Sequence, residues 1–289
     1  MKFFRKLGFQ LVLFFIVAIT IPIVMLMVSS ITTTSSSMES NMKVTSEQTL
    51  NEAQKQFTTY LKTLSQPVDL LTRKNEVKHL EDQGALNDNV KAVRDSLIAS
   101  VKVTNGAERA FFATNTKLEI TGWGEYNPET GKTLSKGGLE NDVDRTKEVW
   151  YTDCKGLKAR NNIYAYFSKP YYSKDFDKTI ITVSQEIKHS DGTNYGTVGM
   201  HIDFSEITDF VQGIGLLNTG FVVLADEDGN ILVNNDNNKY VTDSVSGLNC
   251  WSTIKGLTED DYDKAFSFDE NTNGEKVHVV TSKDAVTGW

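Results

Sequence analysis

A chain of 289 residues, 39% of them hydrophobic and 24% charged, is long enough to bury one or two ordinary cores. Its net charge of −8, with no Lys/Arg cluster beyond the first ten residues, disfavours nucleic acid and anionic lipid as partners. Two cysteines far apart in sequence, Cys154 and Cys250, argue against a disulfide framework and leave a single bridge open.

The chain opens MKFFRKLGFQ, with Lys2, Arg5 and Lys6 and no acidic residue. Leu11–Val28 follows without a charge, and with Phe9 and Ser29 it suffices for a spanning helix of ~17–25 residues. Positive charge ahead of it places the N-terminus in the cytoplasm and everything after Ser30 outside. A cleaved signal peptide fits less well, because the apolar run exceeds the usual ~7–15 residues and no A-x-A site follows. The Ser/Thr-rich run SSITTTSSS (29–37) reads as linker or frayed helix. Beyond it Leu50, Phe57, Leu61, Leu64, Val68 and Leu71 form one apolar stripe at helical spacing. That stripe predicts a long helix from about Ser37 until Pro67 kinks or ends it. It can pack on sheets, form a coiled coil, or do both in a homodimer. A second helix is predicted over Asn89–Val101.

Strands follow at RAFFAT (Arg109–Thr114) and KLEITGW (Lys117–Trp123), then a glycine- and charge-rich loop, Gly124–Gly138. Its Gly131-Lys132-Thr133 is no phosphate-binding loop, since Tyr126 stands where the first glycine belongs. The densest stretch is Asp144–Phe204: DRTKEVWY (144–151), YAYFSKPYY (164–172), KTIITVSQEI (178–187) and YGTVGMHIDF (195–204). In the last, Val198, Met200, Ile202 and Phe204 alternate with Thr197, Gly199, His201 and Asp203. Ile181, Val183 and Ile187 likewise oppose Thr182, Ser184 and Glu186. A period of two marks paired strands, and the HSDGTN turn between them predicts a hairpin. The aromatics upstream either wall a small-molecule pocket or cap the sheet.

A short helix is expected at Ser205–Gln212, with Gly213 and Gly215 as a boundary. Ala110–Thr121 and Val222–Val233 then both read strand, polar turn, strand, and Glu275–Lys283 loosely repeats Lys178–Ile187. Two copies of one antiparallel-sheet unit explain this best. DEDGN (226–230) reads as a tight hairpin turn, its glycine being out of register for a calcium loop. Four histidines without metal spacing and no nucleophile elbow point to no enzyme, no metal and no cofactor.

In order and content these segments resemble the double Cache (dCache) sensor region of methyl-accepting chemotaxis proteins. The match is carried by Asp144, Trp150, Tyr151, Ser168, Pro170, Tyr171, Gly196, Val198 and Gly199. The resemblance implies an α+β fold: a long N-terminal helix packed along two PAS-like antiparallel-sheet modules, preceded by one transmembrane helix. The expected parts are a cytoplasmic N-terminus (1–10), an anchor (11–30) and a stalk helix (31–87). A membrane-distal module (88–215) and a truncated membrane-proximal module (216–289) follow. The missing closing strand predicts that the chain is a fragment of a longer protein. The resemblance also implies a membrane-anchored extracellular sensor, with Arg145, Glu148, Trp150, Tyr151, Tyr171, His201 and Asp203 as the ligand-binding candidates. Amino-acid-binding members carry Arg where Glu148 stands and Asp where His201 stands. Those departures predict a cationic amine, a neutral aromatic or a sugar rather than an amino acid.

Overall fold

The computed structural model describes residues 2–81, 86–127, 132–214, 220–235, 244–272 and 274–289. The chain divides into two compact units, Met1–Thr49 and Leu50–Trp289. Helix α1 (Lys2–Thr72) supplies the first. It is the one helix among the described residues long and apolar enough to cross a membrane, and the apolar window is wholly unburied. The Ser/Thr-rich run is helical, not a linker. Its hydroxyls bond back to the helix, as when Thr32 Oγ1 donates to the carbonyls of Val28 and Ser29, both at 3.0 Å.

In the second unit α1 continues through Pro67 to Thr72. The expected break there does not occur, and the reason is burial. Proline in a helix costs roughly 3 kcal/mol, while Val68 and Leu71, both at most 1% exposed, each gain about 1.5–3 kcal/mol from burial. Helix α2 (Asn75–Lys78) and helix α3 (Leu86–Val103) follow, the latter longer at both ends than its periodicity predicts.

The strands β1 (Ala107–Thr114), β2 (Leu118–Asn127), β3 (Lys132–Lys136), β4 (Leu139–Asn141), β5 (Tyr166–Phe167), β6 (Tyr171–Ser173), β7 (Lys178–Lys188) and β8 (Asn194–Asp203) make one antiparallel sheet. Its order is β3-β2-β1-β8-β7-β5, with β4 on β2 and β6 on β7. The predicted Gly124–Gly138 loop is in part the β2–β3 hairpin, because ladder hydrogen bonds need no apolar stripe to announce them. Residues 128–131, including Gly131, lie outside the described residues.

The β7–β8 hairpin and its two faces match the alternation. Ile181, Val183, Val198, Met200 and Ile202 join Ala110 and Phe112 in the core against Leu61, Leu64, Val68 and Leu71 of α1. The opposite face is polar but also buried: Thr182, Ser184 and Thr197 are all 0% exposed. Something therefore covers it.

Helix α4 (Val149–Thr152) lies in that cover, and α5 (Ser205–Gln212) leads out of the sheet. Beyond come β9 (Val223–Ala225), β10 (Ile231–Asn234), α6 (Trp251–Lys255), β11 (Phe266–Thr272) and β12 (Glu275–Thr281). Among the described residues these strands form two antiparallel ribbons, β9–β10 and β11–β12. Gly215 of the expected boundary lies outside the described residues. DEDGN is the tight turn its composition predicts. Asp226 Oδ1 accepts the N–H of Asp228 at 2.9 Å and of Asn230 at 2.8 Å, while Gly229 takes φ +87°. Trp289 packs on Phe57 and Phe204, each with ring centroids 6.4 Å apart. Both cysteines are buried free thiols.

Candidate functional site

Register determines what shares the covered face. Across β1, β8 and β7, Arg109 is opposite His201 and His201 opposite Thr182. In the next row Phe111 is opposite Gly199 and Gly199 opposite Ser184. Gly199 is required here: a Cβ on it would lie 2.5 Å from Cζ of Phe111 and 2.7 Å from the Val183 carbonyl. Its bare backbone lets the Phe111 ring lie over the sheet. That ring is 4.4 Å from Trp150 and 4.9 Å from His201, centroid to centroid.

The cover, residues 143–177, is bonded to this face from several sides. Ser184 Oγ donates to the Trp150 carbonyl at 2.7 Å, Tyr151 Oη to Asn194 Oδ1 at 3.0 Å, and Gly156 N to Glu186 Oε2 at 2.9 Å. Burial, then the nearby Cys154 and Glu186, pushes the Tyr151 hydroxyl up to about 12, so it donates at any physiological pH.

The seven sequence candidates separate. Trp150, Tyr171 and His201 come together: Tyr171 Oη is 2.8 Å from Thr182 Oγ1, which is 3.0 Å from His201 Nδ1. Tyr151 is fully buried and holds the cover in place. Asp203 ends β8, accepting the Ser205 N–H at 2.8 Å and an ion pair from Lys178 at 2.9 Å. Burial opposes its charge, but Lys178 and Ser205 hold its carboxyl below the ordinary range. Arg145 donates twice to buried Glu119 Oε2, at 3.1 and 2.9 Å, and Glu148 is 3.9 Å from it and half exposed.

Sequence reasoning missed Arg109, whose guanidinium lies between the rings of Trp123 and Phe176, 5.0 and 4.8 Å from their centroids. The available signal was a cation leading an apolar strand, two residues before Phe111 and so on the same face. It also missed Thr182, which links Tyr171 to His201.

His201 has an imidazole held neutral. Burial first, then the charges of Arg109 and Arg145, push it down to about 3 against an ordinary 6.5. Unfolded, this group binds a proton below about pH 6.5; folded, it does not until about pH 3. Its share of stability is therefore complete above pH 6.5 and falls by about 1.4 kcal/mol per pH unit below it. At pH 5 the loss is about 2 kcal/mol, and His201→Gln is expected to abolish that part of the acid sensitivity in urea melts at pH 7 and pH 5. An equal pH 7-to-5 loss in both proteins would rule the charge argument out.

Compared with solved structures, the fold is shared with two kinds of ectodomain. The ligand-binding domain of the Campylobacter jejuni chemoreceptor Tlp3, in complex with L-norvaline, is 17% identical, covering 82% of this chain and 84% of that one, with TM-score 0.59. The extracellular domain of mmHK1S-Z2, named a histidine kinase, is 11% identical, covering 86% of this chain and 94% of that one, with TM-score 0.61. At these identities the likeness is one of fold. No curated protein matches the chain. The family model described as Cache domain, of the double type (dCache), matches residues 29–288, and the chain belongs to that family.

Proposed function

We propose that this chain is the sensor of a transmembrane chemoreceptor, binding a small organic solute between the large sheet and its cover. The observation that carries the reading is the Tyr171–Thr182–His201 polar chain set among the rings of Phe111, Trp150 and Phe176. A few convergent polar groups in an aromatic wall are the usual composition of a solute site. A Tlp3 domain of the same fold carries L-norvaline, which favours a small solute over a protein partner.

The charges narrow the class. Glu148 and Asp203, the two carboxylates the sequence offers to a cationic amine, are paired with Arg145 and Lys178. Binding an amine there would first break an ion pair, so an aromatic or apolar body stacked on the rings is the better fit. The anchor belongs to an N-terminal helix with basic residues before it, which supports an extracellular sensor. A second copy of the chain is the proposed partner along α1, where Met38, Met42 and Val44 are exposed.

Signal output is supported by bonds between the cover and the rest of the unit. Arg160 Nη1 donates to the Ala285 carbonyl at 3.0 Å, and Asn161 Nδ2 to Asp263 Oδ2 at 2.9 Å. Gln54 on α1 donates to both Asp263 and Asp284, at 3.1 and 2.9 Å. Asp263 thus bonds both the cover and α1, a route by which a shift of the cover reaches the helix. In a thermal-shift screen of metabolites, a true ligand at one hundred times its Kd is expected to add about 2.7 kcal/mol. A silent screen across amines, carboxylates, sugars and amino acids would sink the sensor reading.

A further inference from the structure

We propose that Arg109 anchors the carboxylate of an organic acid lacking an α-ammonium group, and that Asp175 occupies this anchor until the ligand displaces it. The inference rests on the sensor reading and names the ligand class for the same site. Arg109 is the residue of β1 directly opposite His201, so both side chains leave the sheet on the covered face as near neighbours. The guanidinium is fixed between Trp123 and Phe176, a placement that orients its edge while leaving its donors to find partners.

Those donors are underused. Nε of Arg109 is buried with no hydrogen-bond partner among the described residues. Nη1 makes one long contact, 3.3 Å, to Asp175 Oδ2, from a side chain that is 68% exposed. A guanidinium offers Nε and Nη as a fork matched to both oxygens of a carboxylate. Asp175 sits on Nη1, outside the Nε–Nη2 edge, and leaves a buried donor unsatisfied, so a carboxylate drawn to that edge competes with Asp175 for the same guanidinium charge.

The chemistry of the surroundings selects the ligand. The site already accommodates a carboxylate, in the form of Asp175. Beside it, Tyr171 Oη, Thr182 Oγ1 and His201 Nδ1 form a neutral hydrogen-bonded chain. One cation beside a neutral polar chain suits a monoanion better than a phosphate dianion. An α-ammonium group finds only a poor partner here: Asp203 is held by Lys178 and Ser205 and Glu119 by Arg145, and the displaced Asp175 is 68% exposed and screened by water. Asp175 sits in the turn between β6 and β7, and β6 carries Tyr171. Displacing Asp175 therefore releases the turn next to the ligand, which links occupancy to a movement of the cover.

The test uses calorimetry on the full chain in detergent, with benzoate, 3-phenylpropionate and 3-methylbutanoate, each against its own primary amide. The expected result is that at least one acid binds, its amide binding ten- to a hundredfold more weakly. Arg109→Gln is expected to lose the same factor, and Asp175→Asn to bind the acid several-fold more tightly because the internal competitor is gone. If Arg109→Gln does not fold, Asp175→Asn decides alone: an unchanged or weaker affinity overturns the proposal. Acid and amide binding equally, or an amine or sugar binding independently of Arg109, overturns the anchor while leaving the sensor reading intact. No binding by any of the three acids overturns the anchor as well, and a silent metabolite screen beside it removes the sensor reading too.

Discussion

Phe111→Ala is expected to lower the unfolding free energy by about 3–5 kcal/mol, the range for deleting a buried phenyl ring. Phe111 is 1% exposed and is the largest group between the sheet and Trp150. Gly199 beneath it cannot fill the space, and Ser184 is tied to the Trp150 carbonyl at 2.7 Å, so the site has little freedom to collapse. The vacated volume would open beside Thr182 and His201, and apolar solutes should bind the variant more tightly than the parent. Phe112→Ala is the matched control. Phe112 is equally buried but faces α1 in the other core, so the same stability loss should come without any change in binding. Urea unfolding of both variants, with binding of the same solutes, separates the two faces. A loss below 1 kcal/mol for Phe111→Ala, or identical binding in the two variants, would falsify the assignment of Phe111 to the solute face.

That contrast between neighbours in one strand shows what was legible in the sequence. The alternation of Val198, Met200 and Ile202 with Thr197, Gly199 and His201 assigned both faces of β8 without coordinates, because period two maps directly onto the pleat. It could not say that both faces are buried. Thr182, Ser184 and Thr197 look like solvent-facing residues until the cover is placed over them. Nor could it place Arg109, since the β1–β8 pairing joins segments about ninety residues apart and only register sets Arg109 opposite His201. Pro67 misled for a related reason: a local rule for ending helices was outweighed by the burial of Val68 and Leu71, a tertiary effect.

Asp203 has a second role, and one that the sequence also signals. Alternation put it on the solute face, yet Asp203-Phe204-Ser205-Glu206 also carries the acidic start signal of a helix. The structure shows that second role, with the carboxylate taking the Ser205 N–H. The DEDGN turn was legible because its bonds are local: Asp226, Asp228, Gly229 and Asn230 satisfy one another within five residues. The long-range ion pairs were not. Nothing in DRTKEVWY indicates that Arg145 meets Glu119 on β2.

That pair carries the second large effect. Arg145→Ala is expected to cost about 3 kcal/mol at pH 7, the lower end of the range for breaking a buried ion pair. The lower end applies because Glu119 is only 7% exposed while Arg145 is 37% exposed, so water screens one side of the bridge. Burial works against the Arg145 charge, but the Glu119 bonds prevail and hold its guanidinium protonated more firmly than usual. Removing Arg145 strands the Glu119 carboxylate, which loses both donors in one step. The double variant Arg145→Ala with Glu119→Gln should recover much of the loss, since a neutral amide leaves no charge to bury. A double-mutant cycle in urea then gives the coupling directly. The same proteins decide whether Arg145 serves the ligand. If it is structural, solute affinity should be unchanged in the double variant. If affinity falls tenfold while stability is restored, Arg145 belongs to the solute contacts and its bridge to Glu119 is the resting state.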